Sequence, residues 1–265
     1  MGNEKIPRSL YKYYSSTTIE SAILENTFKW ELPCAENDPF EALASGWDKD
    51  AVKRAIKSEQ TMDDIRNAIF QGKKAQEMIS YITAFVSFSE RGDNLLMWSH
   101  YGDKHTGACI EFDTVCLERE IDKIEPVTYA DEFGAKRKEI PLPFEGESDY
   151  SPHYQNRVRR FLSSKAKEWE YEKEWRLIVP PMASCIKTKA INNKTIFVTD
   201  IPQGSVKRLI FGYNVPIAIR LAWAKQIQTF HPSCTFAEIE PDLNTYKLII
   251  KPLEIDAIER RQSAS

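Results

Sequence analysis

Trp169-Glu170-Tyr171-Glu172-Lys173-Glu174-Trp175-Arg176 opens a strand signal, Glu172 to Val179, directly after a stretch whose spacing through Val158, Phe161, Leu162, Lys165 and Trp169 is helical. A helix that runs straight into a strand, within a chain whose strands and helices follow no regular alternation, predicts an α+β fold rather than a doubly wound α/β one. On a strand, Glu172, Glu174 and Arg176 share one face, and Tyr171, Lys173 and Trp175 the other. Two carboxylates beside a guanidinium can orient a ribose, stabilise a cationic sugar centre, or supply a general base once one carboxylate raises its neighbour's pKa. The same residues also fit a solvated strand edge bearing a Glu–Arg pair.

Outward from this segment, strand signals fall at Ser9 to Tyr14, Thr83 to Ser89, Thr106 to Phe112, Glu125 to Tyr129, Thr195 to Val198, Val206 to Phe211, Cys234 to Glu238 and Thr245 to Lys251. Helical spacing covers Thr17 to Asn26, Asp93 to Tyr101, and Val215 to about Thr229 behind an Asn214 cap. The expected fold is a mixed, mainly antiparallel sheet with flanking helices. One domain over 1–265 is expected, with a helical insertion at about 48–82 and a disordered tail at about 258–265.

Lys plus Arg number 36 against 39 Asp plus Glu, a net charge of −3, so no global field draws in a phosphate backbone. The basic run Arg157 to Arg160, with Lys165 and Lys167, reads as a solvated helix face or a local patch. The five cysteines are an odd number, far apart and without a C-x-x-C pair, which suggests neither a disulfide framework nor a zinc knuckle. With no basic-plus-apolar leader and no apolar run of about 20 residues, a cytoplasmic protein without a membrane partner is expected. P-loop, G-x-G-x-x-G, G-x-S-x-G and H-E-x-x-H motifs do not occur.

Three further segments carry candidate chemistry. Trp98-Ser99-His100-Tyr101 followed by His105 gathers imidazoles, hydroxyls and aromatic rings, either around a ligand or as a hydrogen-bonded turn. The i, i+5 histidine spacing is a poor zinc pattern, and no metal is expected. Asn37-Asp38-Pro39 initiates a turn or projects Asn37 and Asp38 into a cleft. Tyr11-Lys12-Tyr13 sets a lysine between aromatic residues, where it contacts an anion or snorkels to solvent.

Leu10-Tyr11-Lys12-Tyr13, Asn37-Asp38-Pro39-Phe40-Glu41, Val86-Ser87-Phe88-Ser89, Met97-Trp98-Ser99-His100-Tyr101 with His105-Thr106-Gly107, and the Trp169 to Arg176 segment together resemble the bacterial domain-of-unknown-function family 2971. A second, weaker resemblance is to ADP-ribosyltransferases, through Lys12, Ser87-Phe88-Ser89 and Glu172-Lys173-Glu174 in that order. It departs from them in Lys12, where Arg or His is usual, in Phe88 for the middle Thr, and in the long gap from Ser89 to Glu172.

That resemblance implies NAD as substrate. Glu174 would stabilise an oxocarbenium-like ribose, Glu172 would support it, Ser87 would hold the glutamate or the ribose, and Lys12 would meet a phosphate. His100 joins the catalytic candidates. Tyr11, Asn37, Asp38, Ser89, Trp98, Tyr101 and Arg176 are the remaining binding candidates for a nucleotide or other small molecule, with the acceptor, protein or nucleic acid, left open. A toxin or phage-defence setting fits this reading. Two rivals stand beside it: metal-dependent nucleic-acid cleavage through Asp38, Glu111, Asp113 and Glu174, and a noncatalytic module whose tryptophans lie exposed.

Overall fold

The computed structural model describes residues 5–33, 83–130, 151–180, 183–191 and 194–263. The proposed insertion at about 48–82 and the candidates Asn37 and Asp38 lie outside these residues. Within them the fold is α+β, as the sequence predicts. Eight strands form one sheet in the order β13-β12-β11-β4-β1-β3-β8-β5. These are β1 (Ser9–Tyr14), β3 (Ala84–Ser89), β4 (Ala108–Asp113), β5 (Ile124–Pro126), β8 (Glu174–Val179), β11 (Val206–Phe211), β12 (Thr235–Pro241) and β13 (Leu248–Leu253). Every pairing is antiparallel except β11 with β12.

A smaller sheet pairs β2 (Thr27–Trp30), β10 (Lys194–Asp200) and β9 (Lys187–Ile191) in the order β2-β10-β9. A parallel pair joins β6 (Thr128–Ala130) to β7 (Ser164–Ala166).

Side-chain alternation gives the large sheet two different faces. Leu10, Tyr14, Val86, Phe88, Ile110, Phe112, Trp175 and Leu177 point into the main core, which also holds Phe28 and Trp30 of the small sheet. Phe28 meets Phe88 and Phe112 at ring distances of 5.8 and 5.1 Å, so the small sheet stacks over this face. The opposite face carries two apolar patches. Tyr13, Cys109 and Ile210 pack with Met97 and Trp98 of α2 (Leu95–His100). Phe85 and Ile178 pack with Tyr154, Val158, Phe161 and Leu162 of α4 (Pro152–Leu162). Ser87, Ser89, Glu174 and Arg176 share that face's parity, between the two patches.

Local chemistry sets the helix ends. The hydroxyl of Ser15, rather than Thr17 or Thr18, caps α1 (Ser16–Glu25). Asn94 caps α2, and Asp113 caps α3 (Thr114–Glu120), an element absent from the sequence reading. α5 (Ile217–Phe230) starts behind Pro216 and not Asn214, whose side chain is turned back to the Lys104 carbonyl. The tail expected to be disordered from 258 instead forms α6 (Ile255–Ser263), because Ile258 is fully buried in the core. The strand expected over Glu125 to Tyr129 divides at Val127, whose amide bonds the Glu174 carbonyl.

Gly107, just before β4, shows how tightly the chain is drawn. A Cβ there would stand 2.0 Å from the Tyr14 carbonyl oxygen, which no side-chain adjustment can relieve. Gly107→Ala is therefore expected to lose about 3 kcal/mol or more in urea unfolding, as backbone overpacking does. An unchanged midpoint would contradict the contact.

Candidate active site

Glu174 and Arg176 are the first and third residues of β8, whose six residues are all buried. β8 lies between β3 and β5 and is not a solvated edge, so the edge reading of these charges is overturned. A buried carboxylate is tolerated only when its lone pairs are met. Glu174 Oε1 accepts from Ser87 Oγ at 2.5 Å and from Arg176 Nε at 2.6 Å, while Oε2 accepts from Arg176 Nη2 at 3.0 Å and Lys165 Nζ at 3.1 Å. Its backbone amide donates to Tyr129 Oη at 2.7 Å.

Glu172 is not on the strand. It ends a 3-10 turn, Lys167–Glu172, and Lys173 follows with φ 44°, a left-handed residue that breaks the alternation expected of one continuous strand. The two carboxylates still converge. Lys165 Nζ lies 2.5 Å from Glu172 Oε2 and 3.1 Å from Glu174 Oε2, and Tyr101 Oη donates to Glu172 Oε1 at 2.7 Å. Ser89 does not line a hollow; its hydroxyl holds the Glu172 carbonyl at 2.6 Å and fixes the turn. Asn94 bonds the Tyr171 carbonyl at 2.6 Å while capping α2, which sets Tyr101 over Glu172.

Arg176 is fully buried. Its Nη1 reaches the Leu162 carbonyl at 2.5 Å, at the negative end of α4, and its guanidinium stacks over Phe85 at 4.4 Å. Lys165 covers the Trp169 ring at 4.9 Å. The expected basic surface patch therefore loses Lys165, which is buried because two carboxylates need it.

These surroundings separate the two acids. Burial works to raise Glu174, but Arg176 and Lys165 outweigh it and hold the carboxyl at about 2. For Glu172 burial prevails, with the Glu174 charge adding to it against Lys165, and the carboxyl is raised above its ordinary value. Tyr101 is raised by burial and by Glu172, so it keeps its proton. Paired acids pushed apart in this way are a common arrangement for proton transfer.

The other candidates take different places. Lys12 shares the parity of Leu10 and Tyr14, so it lies on the core face and not with the Ser87 and Glu174 side chains; its Nζ reaches the Ser87 carbonyl at 3.3 Å from that side. Lys12 and the Ser87–Glu174 pair, which the transferase resemblance would set around one ligand, thus meet at a junction from two faces of the sheet. His100 is exposed at the rim, its ring 6.3 Å from Tyr171 and 6.4 Å from Tyr101. Tyr11 is half-buried one strand away, opposite Glu111, and burial raises it to about 12. Trp98 is fully buried, bonds the Gly92 carbonyl and stacks on His105, so it belongs to the packing.

The binding-module rival requires exposed tryptophans, and Trp98 and Trp175 are both buried. Of the nuclease set, Glu111 pairs with Arg208 and Lys207, and Asp113 caps α3. Among the described residues, no group of three or more His, Cys, Asp or Glu could hold a metal ion. Among them, too, no helix is long and apolar enough to cross a membrane. Lys165, Tyr129 and Asn94 were missed as network members; a lone lysine, tyrosine or asparagine carries no spacing signal.

No curated protein and no solved structure matches the chain. Residues 97–177 match the model of a family described as a protein of unknown function, DUF2971. The matched stretch runs from α2 to β8 and holds Tyr101, Tyr129, Lys165, Glu172, Glu174 and Arg176 of the network, while Ser87, Ser89 and Asn94 precede it. The motif resemblance is borne out over residues 97–177, and in that stretch the chain is similar to this family of unknown function.

Proposed function

We propose that the junction of β1, β3 and β8 binds a dinucleotide of the NAD kind and transfers its ADP-ribosyl group, in a toxin or phage-defence setting. The supporting observation is the bond from Ser87 Oγ to Glu174 Oε1, which joins two motifs 87 residues apart in sequence, on neighbouring strands, with Lys12 on the Ser87 carbonyl. Glu174, ionised and immobile, faces the positive charge that develops on the ribose. The bond from C1′ to the nicotinamide nitrogen breaks and its electron pair passes to the ring, which leaves neutral. The acceptor's lone pair closes on C1′, its proton moves to Tyr101, and Tyr101's own proton moves to Glu172.

A second reading, favoured by the four donors already on Glu174, is that the network only holds the fold together. One experiment separates them. Incubating the protein with labelled NAD and host extract is expected to release nicotinamide and transfer label. Tyr101→Phe, which keeps the packing, should lower the rate by about 10²-fold, and Glu174→Gln should lower it further. Folded wild type that neither transfers label nor releases nicotinamide sinks the transferase reading and leaves the structural one.

A further inference from the structure

Between α2 and β4 the chain makes a left-handed turn from three successive residues that are not glycine. Asp103, Lys104 and His105 have φ of 51°, 52° and 67°. Each presses its Cβ toward the following carbonyl, so such a turn persists only where its surroundings over-determine it. Several elements brace it. The Thr106 amide reaches back to the Asp103 carbonyl and the Gly107 amide to the Gly102 carbonyl, both at 3.0 Å, and Ser16 Oγ donates to Asp103 Oδ2 at 2.6 Å. From the loop after β11, the Asn214 amide holds the His105 carbonyl at 3.0 Å, and its side chain holds the Lys104 carbonyl at 3.1 Å. A Cβ on Gly212 would stand 2.2 Å from the His105 carbonyl oxygen, so the two segments touch backbone to backbone.

His105 closes this turn. Its ring, in a residue only 8% exposed, stacks on the Trp98 ring at 5.8 Å and 9° and meets the Tyr213 ring at 4.8 Å. Nδ1 is buried and has no hydrogen-bond partner. A neutral imidazole can leave that atom as a bare lone pair, but an imidazolium carries a proton on both nitrogens, and the one on Nδ1 would face no acceptor. The charged groups around the turn offer no compensation. Asp103 is exposed and turned to Ser16, and Lys104 is exposed on the turn itself. Behind Tyr213, the Arg220 guanidinium bonds the Gly212 and Tyr213 carbonyls while pairing with Glu238. Burial holds the ring below its ordinary value of 6.5.

We infer that His105 is an acid-sensitive latch: when it takes up a proton, its ring leaves the slot between Trp98 and Tyr213, the left-handed turn relaxes, and the end of α2 that sets Tyr101 on Glu172 comes loose. The amides of Tyr101 and Gly102 both bond the Met97 carbonyl, so the last turn of α2 and the latch are one piece of chain. Release takes up one proton, because the charged ring is accommodated only in the open turn. The closed form is therefore fully favoured above about pH 6.5, and below it the open fraction rises by up to about tenfold per pH unit until the closed ring itself titrates. The latch does not rest on the transferase reading, and it governs the placing of Tyr101 whatever reaction the site carries.

Hydrogen exchange on the full chain, corrected for the intrinsic rate, tests this at the amides of Gly102, Gly107 and Asn214. Opening there is expected to rise about four- to eightfold between about pH 7 and about pH 5.5. His105→Phe, which keeps a ring in the slot without a titrating group, should remove the rise. Asn214→Ala, which takes away only the side-chain brace, should increase opening about two- to tenfold at both pH values and leave the slope unchanged. Should His105→Phe not fold, NMR of labelled wild type decides the matter, since the midpoint of the His105 ring should lie below 6.5. Opening that does not change with pH, the result expected if a buried water accepts from Nδ1, overturns the latch. So does a ring that titrates at or above 6.5, or a His105→Phe slope equal to that of wild type. An equal rise at the Ile110 amide, in the middle of β4, would mean that the whole fold opens and would overturn it as well.

Discussion

Replacing Arg176 by methionine is expected to cost about 3–5 kcal/mol of folding stability, the range for removing one partner of a buried ion pair. Arg176 is fully buried, and it supplies two of the four donors on Glu174 and a third bond to the Leu162 carbonyl. Without it Glu174 keeps Ser87 and Lys165 but remains in a strand buried along its whole length, and the last carbonyl of α4 loses its guanidinium donor. Methionine fills most of the space, so the loss is electrostatic rather than a cavity. Urea unfolding of the single variant and of Arg176→Met with Glu174→Gln separates the two contributions. The double variant should recover a large part of the loss, since it no longer strands a charge. A single variant within about 1 kcal/mol of wild type would mean that Glu174 is not held as described.

The sheet was legible in the sequence where side chains alternate between chemically different faces. Ser87 and Ser89 against Val86 and Phe88 fix β3, and Val206 to Phe211 is a strand with the expected bounds. Glu174 and Arg176 read correctly as neighbours on one face because only two residues separate them. Glu172 read wrongly, because the left-handed Lys173 that ends the strand is set by long-range bonds: Glu90's amide to its carbonyl, and Ser89 to the carbonyl of Glu172. Nothing at Lys173 itself announces a positive φ. Lys165 read as surface for a similar reason, since a basic residue near a helix end is usually solvated and only the fold brings two buried carboxylates to it. Lys12 read wrongly as a neighbour of the Ser87 and Glu174 side chains, because its parity with Leu10 and Tyr14 sets it on the core face and only the pairing of β1 with β3 shows which face that is.

Lys165→Met tests the network from its other cation, and pH is what distinguishes it from an ordinary packing defect. Near neutral pH the variant leaves Glu172 and Glu174 as adjacent buried anions with Arg176 alone to balance them, so a loss of about 3–5 kcal/mol is expected. The signs of the two acids then diverge. Glu174, held at about 2, contributes stability that is present above its unfolded value and is lost as pH falls through the folded one. Glu172, already raised by burial, rises further without Lys165, and its penalty is present above that raised value and is relieved as pH falls through it. Acidification from about pH 7.5 toward about pH 5 should therefore narrow the gap between wild type and variant, because Glu172 takes up a proton in the folded variant before Glu174 does. Adding Glu172→Gln to Lys165→Met should abolish this pH dependence while restoring much of the stability. A gap equally wide at both pH values would mean that Glu172 carries no charge in the folded protein, and the proton relay from Tyr101 would lose its terminus.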